Sequence, residues 1–134
     1  MRPVYRVGIL LLCVAITGCV QGEEHGAHEG EPSGATCPVD SLLSYENFGK
    51  AFMDEYCVGC HSTSLSGASR NGAPSDHNFD SLAAIRQVEV EHIDMLAAGG
   101  HHHINTEMPP EDHPPHPSDE ERRMLGEWLA CGTP

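Results

Sequence analysis

Residues 57–61 read Cys57-Val58-Gly59-Cys60-His61, and the rest of the chain is interpreted outward from this stretch. Apolar side chains recur at intervals of three and four through residues 42–56, which predicts an amphipathic helix running directly into Cys57. Two cysteines three residues apart fit on one helical turn, and a histidine follows at once. The stretch therefore presents two thiols and an imidazole together at the end of a helix. The apolar positions of that helix are Leu42, Tyr45, Phe48, Phe52, Met53 and Tyr56.

Closely spaced cysteines serve three kinds of site, which make different demands on a sequence. A structural zinc site needs a second close pair of ligands, whereas Cys37 and Cys131 are isolated. A thioredoxin-like dithiol needs a βαβ frame, and the sequence has no strand alternation of useful length. Haem attachment needs two thiols that reach the two vinyl groups along one haem edge, with the adjacent histidine facing the iron. We therefore predict one covalent haem c, attached through Cys57 and Cys60 and ligated by His61.

The N-terminus has the features of an export signal. In residues 1–18, Arg2 and Arg6 precede an apolar run that is too short to cross a bilayer as a mature helix. The run ends in Thr17-Gly18-Cys19, which resembles the lipobox of bacterial lipoproteins; the alternative is an ordinary signal peptide cut elsewhere. We expect Cys19 to be lipidated, so that the protein is anchored to a bacterial membrane and faces the periplasm or the cell exterior.

Residues 19–36 are rich in Gly, Glu and His and have little to bury, which predicts a flexible acidic tether after the lipid anchor. Weak metal binding by His25 and His28 is the alternative interpretation. Loss of Arg2 and Arg6 leaves five basic residues against 20 acidic ones, so the net charge goes from −13 to −15. This charge repels a phosphate backbone, which excludes nucleic acid as a partner, and it favours a redox protein with a basic docking face.

Residues 37–134 are predicted to form one small all-α domain of three or more short helices. Only 39% of the chain is hydrophobic and 5% aromatic, so the core is small and needs a cofactor or a staple. Asp80 is expected to cap a second helical stretch that Gly99-Gly100 ends, although the alternation in Val88-Glu89-Val90-Glu91 favours two short helices. Residues 101–117 are predicted to be a proline-rich loop. A capping box at residues 118–121 opens the last helix.

Taken together, residues 37–132 resemble a class I monohaem cytochrome c domain. The family has an N-terminal helix leading into Cys-x-x-Cys-His, a later Met-Pro and a closing helix with an aromatic residue. Gly49 matches the family glycine at which the first and last helices cross, and Trp128 resembles the aromatic residue of the last helix. The resemblance implies an all-α fold wrapped around the haem.

The sixth iron ligand decides what such a domain does. Met108, in Met108-Pro109-Pro110, resembles the axial methionine of the family, and His/Met ligation raises the reduction potential. Met53, Met95 and Met124 lie at core spacing on helices, where methionine is usually filler. The competing ligands are histidines, which would lower the potential and are otherwise exposed decorations of an acidic loop. They are His101, His102 and His103, and behind them His92, His113 and His116.

Two further features are implied by the resemblance. The family proline whose carbonyl accepts the second ring N–H of the ligating histidine is matched by Pro74, with an ordinary turn as the alternative. In the family the terminal helices cross and bring the domain ends together. Cys37 and Cys131, the two cysteines left over in an exported chain, are therefore predicted to form a disulfide.

The predicted function is electron transfer by a periplasmic or cell-surface carrier, because a haem with both axial positions filled has no open site for substrate. The chain is then not itself an enzyme. Two alternatives remain open. One is a small-ligand sensor or peroxidase-like enzyme with an open sixth site. The other is the haem subunit of a larger membrane oxidoreductase.

Overall fold

The structure is a computed structural model that describes residues 30–134. The predicted signal peptide, the lipidation site Cys19 and the first part of the tether, with His25 and His28, lie outside these residues. A π-helical turn, Tyr45–Gly49, continues into helix α1, Lys50–Tyr56. It is followed by a 3-10 turn and three helices: Gly67–Arg70, then α2 at Leu82–Ile85, α3 at Val90–Ala97 and α4 at Asp119–Ala130.

The first helix begins later than the apolar pattern predicts. Ser44 caps it: the hydroxyl of Ser44 accepts from Asn47 N at 3.3 Å, and Asn47 Oδ1 accepts from Ser44 N at 2.7 Å. Leu42, expected on the buried stripe, precedes this cap and is 85% exposed. The prediction for Leu42 is wrong, because a reciprocal cap that satisfies two free backbone donors fixes the start of a helix whatever apolar residue lies before it.

The middle of the chain divides into two short helices, as the alternation in residues 88–91 suggested. Ser81 caps α2 with its side chain, which accepts from Ala84 N at 3.2 Å. Asp80, expected to be the cap, instead accepts from Thr63 N at 2.7 Å. Its carboxylate thus joins the loop after the cysteine motif to the start of α2.

The π-helical turn before α1 approaches α4 closely at Gly49. A Cβ added to Gly49 would lie 2.5 Å from Cζ2 of Trp128, so only glycine permits this approach. Trp128 is fully buried, and its ring meets that of Phe48 edge-on at 6.3 Å between centroids. Both residues therefore shape the core, the role expected of them from the sequence. The rest of the buried apolar core is Phe52, Met53, Phe79, Ile85, Val88, Ile93, Ala97, Ala98, Leu125 and Leu129.

Residues 30–36, predicted to belong to a flexible tether, pack against the folded domain. Ser33 is fully buried, and its backbone N–H and hydroxyl both donate to the carboxylate of Asp94 on α3. The carbonyl of Ser33 accepts from His102 N at 2.9 Å and from His103 N at 3.2 Å. We call residues 30–36 the strap. The ordered domain thus begins before residue 37. The hydrogen bonds that hold the strap involve backbone groups of Ser33, which amino-acid composition does not reveal.

The two ends of the domain are joined covalently. Cys37 and Cys131 form a disulfide with Cα atoms 4.8 Å apart, across a sequence separation of 94 residues. This is the pair expected from the sequence. Between residues 30 and 134 the only β pairing is one isolated bridge from Gly99 to Ile104, and no helix there has the length and apolarity needed to span a membrane.

Candidate haem site

One cavity of about 380 Å³ lies between α1, the cysteine motif, the loop of residues 71–79, α3 and the loop of residues 108–115. Its apolar wall includes Phe52, Ile93, Leu96 and Leu125. Pockets that take cofactors and small ligands are commonly of this size and mostly apolar, with a few polar groups that fix orientation. The predicted haem residues Cys57, Cys60, His61, Met108 and Pro74 all line it.

The cysteine motif forms a turn that continues α1. Cys57 N donates to Met53 O at 3.0 Å, and both Cys60 N and His61 N donate to the carbonyl of Cys57, at 3.1 and 2.9 Å. One backbone carbonyl therefore anchors the second cysteine and the histidine together. Asn71 Nδ2 lies 3.4 Å from Cys60 Sγ across the cavity mouth.

The thiols of Cys57 and Cys60 are both free in the structure. Burial in apolar surroundings raises the pKa of Cys57 to about 12. In the absence of a bound metal this thiol is therefore protonated at neutral pH.

His61 is held by its backbone and by its ring. The ring packs 4.8 Å from that of Phe79, and Phe79 N donates to His61 O at 2.9 Å. Burial lowers the pKa of His61, although the hydrogen bond to the His77 carbonyl opposes the shift. The imidazole is therefore neutral at physiological pH, the form that binds iron.

The acceptor for the second ring nitrogen of His61 is not the predicted one. His61 Nδ1 donates to the carbonyl of His77 at 3.1 Å. The carbonyl of Pro74 instead accepts from Arg70 Nη2. The assignment of Pro74 as the partner of His61 is thus corrected to His77: the loop turns after Pro74, and His77 N returns to Pro74 O at 3.2 Å, which leaves the later carbonyl facing His61.

Met108 lies at the cavity wall with its backbone held on both sides. Its N–H donates to Leu96 O at 2.8 Å, and its carbonyl accepts from Arg122 Nη1 at 2.8 Å. The same Arg122 nitrogen also donates to the carbonyls of Ala97 and Asn105, at 2.9 and 2.8 Å. Arg122 is only 2% exposed, and burial lowers its pKa from the usual value. This buried cation ties the Met108 loop to the end of α3.

A second thioether reaches the cavity. Met53, on α1 one turn before Cys57, is 1% exposed and lines the same cavity as Met108. The sequence assigned Met53 to core packing, and its burial agrees with that role. Within residues 30–134 it is nevertheless the other methionine that lines the cavity, so an experiment on Met108 as the sixth ligand needs Met53 as its control.

The competing histidines separate into two groups. His101, His102 and His103 are exposed and do not line the cavity, which agrees with their interpretation as surface residues. His116 is exposed, with its Nε2 3.0 Å from Pro110 O. The histidines that do line the cavity besides His61 are His77, His92 and His113.

Sequence reasoning missed three contributors: Arg70, the carbonyl of His77 and Arg122. Arg122 carried a usable signal, since it lies three residues before Leu125 on the buried face of α4 and a buried arginine needs fixed acceptors. Every residue has a backbone carbonyl, so the residue types do not show which carbonyl accepts from His61, and His77 could not be predicted.

The residues at the cavity fit a covalent haem in their chemistry: two thiols on one turn, a neutral imidazole, a thioether from the facing loop and an apolar wall. Within residues 30–134 no cluster of three or more His, Cys, Asp or Glu has the arrangement of a metal site built from such ligands. Comparison with known proteins identifies no relative: no family model, curated protein or solved structure matches the chain.

Proposed function

We propose that the protein is a single-haem electron carrier related to class I cytochromes c, with a haem attached to Cys57 and Cys60 and ligated by His61 and Met108. The observation that carries the proposal is the convergence of these four side chains on one apolar cavity. Met108 follows the cysteine motif by almost fifty residues, so a shared cavity is not a consequence of sequence proximity. A haem bound here would supply a one-electron iron couple.

The chain's own residues have three tasks in this mechanism. Cys57 and Cys60 fix the cofactor covalently, so that it stays with the protein in both redox states. The hydrogen bond from His61 Nδ1 to the His77 carbonyl leaves Nε2 as the free ring nitrogen of a side chain that lines the cavity. Met108 would supply the thioether that closes the iron to a substrate or gas, and the hydrogen bonds of its backbone to Leu96 and Arg122 restrict the movement of its loop. A haem closed in this way would transfer electrons without a substrate site.

The proposal extends to the cell. Cys19 is proposed to carry the lipid that anchors the carrier to the membrane, with a basic redox protein as its partner. Replacement of Cys19 by Ser should release haem-loaded protein into the soluble fraction. A variant that stays with the membrane would place the anchor elsewhere, or would favour the subunit of a membrane oxidoreductase.

Haem attachment is tested by the intact mass of protein exported from cells that mature c-type cytochromes. The mature chain should gain the mass of one haem. The variant Cys57→Ser/Cys60→Ser should lose that gain, whereas Cys37→Ser/Cys131→Ser, which removes the other pair, should keep it. A wild-type chain without added mass, or equal loss in both variants, would overturn the proposal.

A further inference from the structure

Arg70 is a buried cation whose side chain donates hydrogen bonds to the loop that follows His61, residues 62–78. Its side chain uses all five N–H donors of the guanidinium group, and the residue is only 5% exposed. The five acceptors are Ala73 O at 3.1 Å, Ser62 O at 2.6 Å, Asn78 Oδ1 at 2.9 Å, Pro74 O and His77 O at 2.8 Å. Every acceptor is neutral.

The charge of Arg70 is not balanced locally. Buried charges in proteins are normally paired, because desolvation penalises an isolated ion. In the described part of the chain the ion pairs join Lys50 to Asp54 and His113 to Asp112, and neither involves Arg70. Arg122 is likewise buried and outside these ion pairs, but one acceptor of Arg70 also receives a hydrogen bond from His61.

The link to the iron ligand is one shared oxygen. The carbonyl of His77 accepts from Arg70 Nη2 at 2.8 Å and from His61 Nδ1 at 3.1 Å. An oxygen polarised by a cation attracts a second donor less strongly, so His61 keeps its ring proton more fully and gives less electron density to a metal. A fixed positive charge also disfavours the more positive oxidation state of a nearby metal.

We infer that Arg70 is a positioning residue that raises the reduction potential of the iron ligated by His61, acting through the shared carbonyl of His77. The inference rests on the proposed haem function. Residues 70–78 would then influence the reduction potential of the iron independently of which residue is the sixth ligand.

The sharpest variant leaves Arg70 in place. Asn78→Asp puts a carboxylate at the oxygen that already accepts from Arg70 Nη1, so it pairs the charge with little change of shape. The expected result is a lower reduction potential. It is accompanied by a shift of the His61 ring N–H resonance, in the NMR spectrum of the holo-protein, toward a stronger hydrogen bond to His77.

Asn47→Asp is the matched control. Asn47 also accepts through Oδ1, from Ser44 N, and donates through Nδ2 to a backbone carbonyl, as Asn78 does to Ser75 O. The two substitutions therefore add the same charge and remove the same kind of donor, but Asn47 is exposed and accepts no hydrogen bond from Arg70. The control should leave the His61 resonance unchanged and shift the potential less.

A second pair of variants removes the guanidinium. Arg70→Lys keeps the charge and should hold the potential nearer to that of the wild type than Arg70→Gln does, although both should lower the melting temperature. If neither variant folds, Asn78→Asp still decides the question.

The outcomes separate this inference from the proposed function. Wild-type protein that carries no covalent haem overturns both. Haem-loaded Asn78→Asp with an unchanged potential, or with a lower potential and an unmoved His61 resonance, overturns the role of Arg70 and leaves the electron carrier standing.

Discussion

Two methionines, Met108 and Met53, line the cavity, and either thioether could be the sixth ligand of the proposed haem iron. Met108 lies in a loop that Arg122 and Leu96 hold by its backbone, whereas Met53 is a core residue of α1. The two side chains have the same chemistry, so their substitutions form a matched pair. Leucine keeps most of the volume and removes the sulfur.

Met108→Leu should leave the haem attached but lower its reduction potential and open the iron to carbon monoxide, because a thioether stabilises ferrous iron and fills the sixth site. Met53→Leu should change neither property. Potentiometry and carbon monoxide difference spectra measure both effects. A change caused by Met53→Leu alone would assign the ligand to α1, and a low-spin Met108→Leu protein would indicate capture by His92 or His113.

At the scale of elements, α4 is the helix whose start is best defined by the sequence. Ser118 Oγ accepts from Glu121 N at 3.3 Å, and Glu121 Oε2 accepts from Ser118 N at 2.8 Å, as the capping box predicted. Glu121 Oε1 also accepts from Tyr56 OH at 2.9 Å, which ties α4 to the end of α1. The hydrogen bonds from Ser118 and Tyr56 lower the pKa of Glu121 below 4.5.

Ser118→Ala should therefore lower the free energy of unfolding by about 1 kcal/mol. Because the pKa of Glu121 is lower in the folded state, its carboxylate stabilises the fold above pH 4.5 and loses this contribution as the pH falls through the folded value. Glu121→Gln should thus be destabilised at pH 7 and approach the wild type at low pH. Glu120→Gln, at an exposed neighbouring position, is the control. If Glu121→Gln lowered the free energy of unfolding equally at every pH, the stabilising role of the Glu121 carboxylate would be contradicted.

The sequence predicted the features that side chains fix and missed those that depend on backbone carbonyls. The start of α4 depends on the side chains of a capping box, so the residue types predicted it, whereas the approach at Gly49 was implied by the resemblance to a known family. The strap is held by the carbonyl of Ser33 as well as by the carboxylate of Asp94, and the orientation of His61 depends on the carbonyl of His77. Backbone acceptors are present at every position, so residue types did not reveal which of them would be used.

At the scale of the whole molecule, the disulfide closes almost the entire domain. Closing a loop of 94 residues stabilises a fold by up to about 5 kcal/mol in the chain-entropy model. Cys37→Ser/Cys131→Ser should therefore lower the free energy of unfolding in denaturant by about 2 to 5 kcal/mol and keep its haem. An unchanged denaturation midpoint would show that strap and helix packing already fix the ends.

The surface charge is even more one-sided than the composition indicates. Arg70 and Arg122 are buried, Lys50 is paired with Asp54, and Arg86 Nη2 donates to Thr133 O at 2.7 Å. In residues 30–134 this leaves Arg86 and Arg123 as the exposed arginines without an acidic partner, because the Thr133 carbonyl is neutral. The docking face of a redox partner should accordingly be basic.

Association with such a partner should slow as salt is added, because screening removes the long-range attraction between opposite charges. Stopped-flow electron transfer at increasing ionic strength measures this. A small basic redox protein serves as the probe and an acidic one as the control. A rate with the basic protein that is flat or rises with salt would contradict electrostatic steering.

The optical spectrum of the purified, haem-loaded wild-type protein distinguishes a closed, six-coordinate haem, with His61 and Met108 as its ligands, from a haem with an open site. The ferric form should show the weak far-red band of sulfur ligation, and the ferrous spectrum should not change when carbon monoxide is added. A ferric spectrum without that band, together with a ferrous form that binds carbon monoxide, would contradict the account and favour an open-site haem protein.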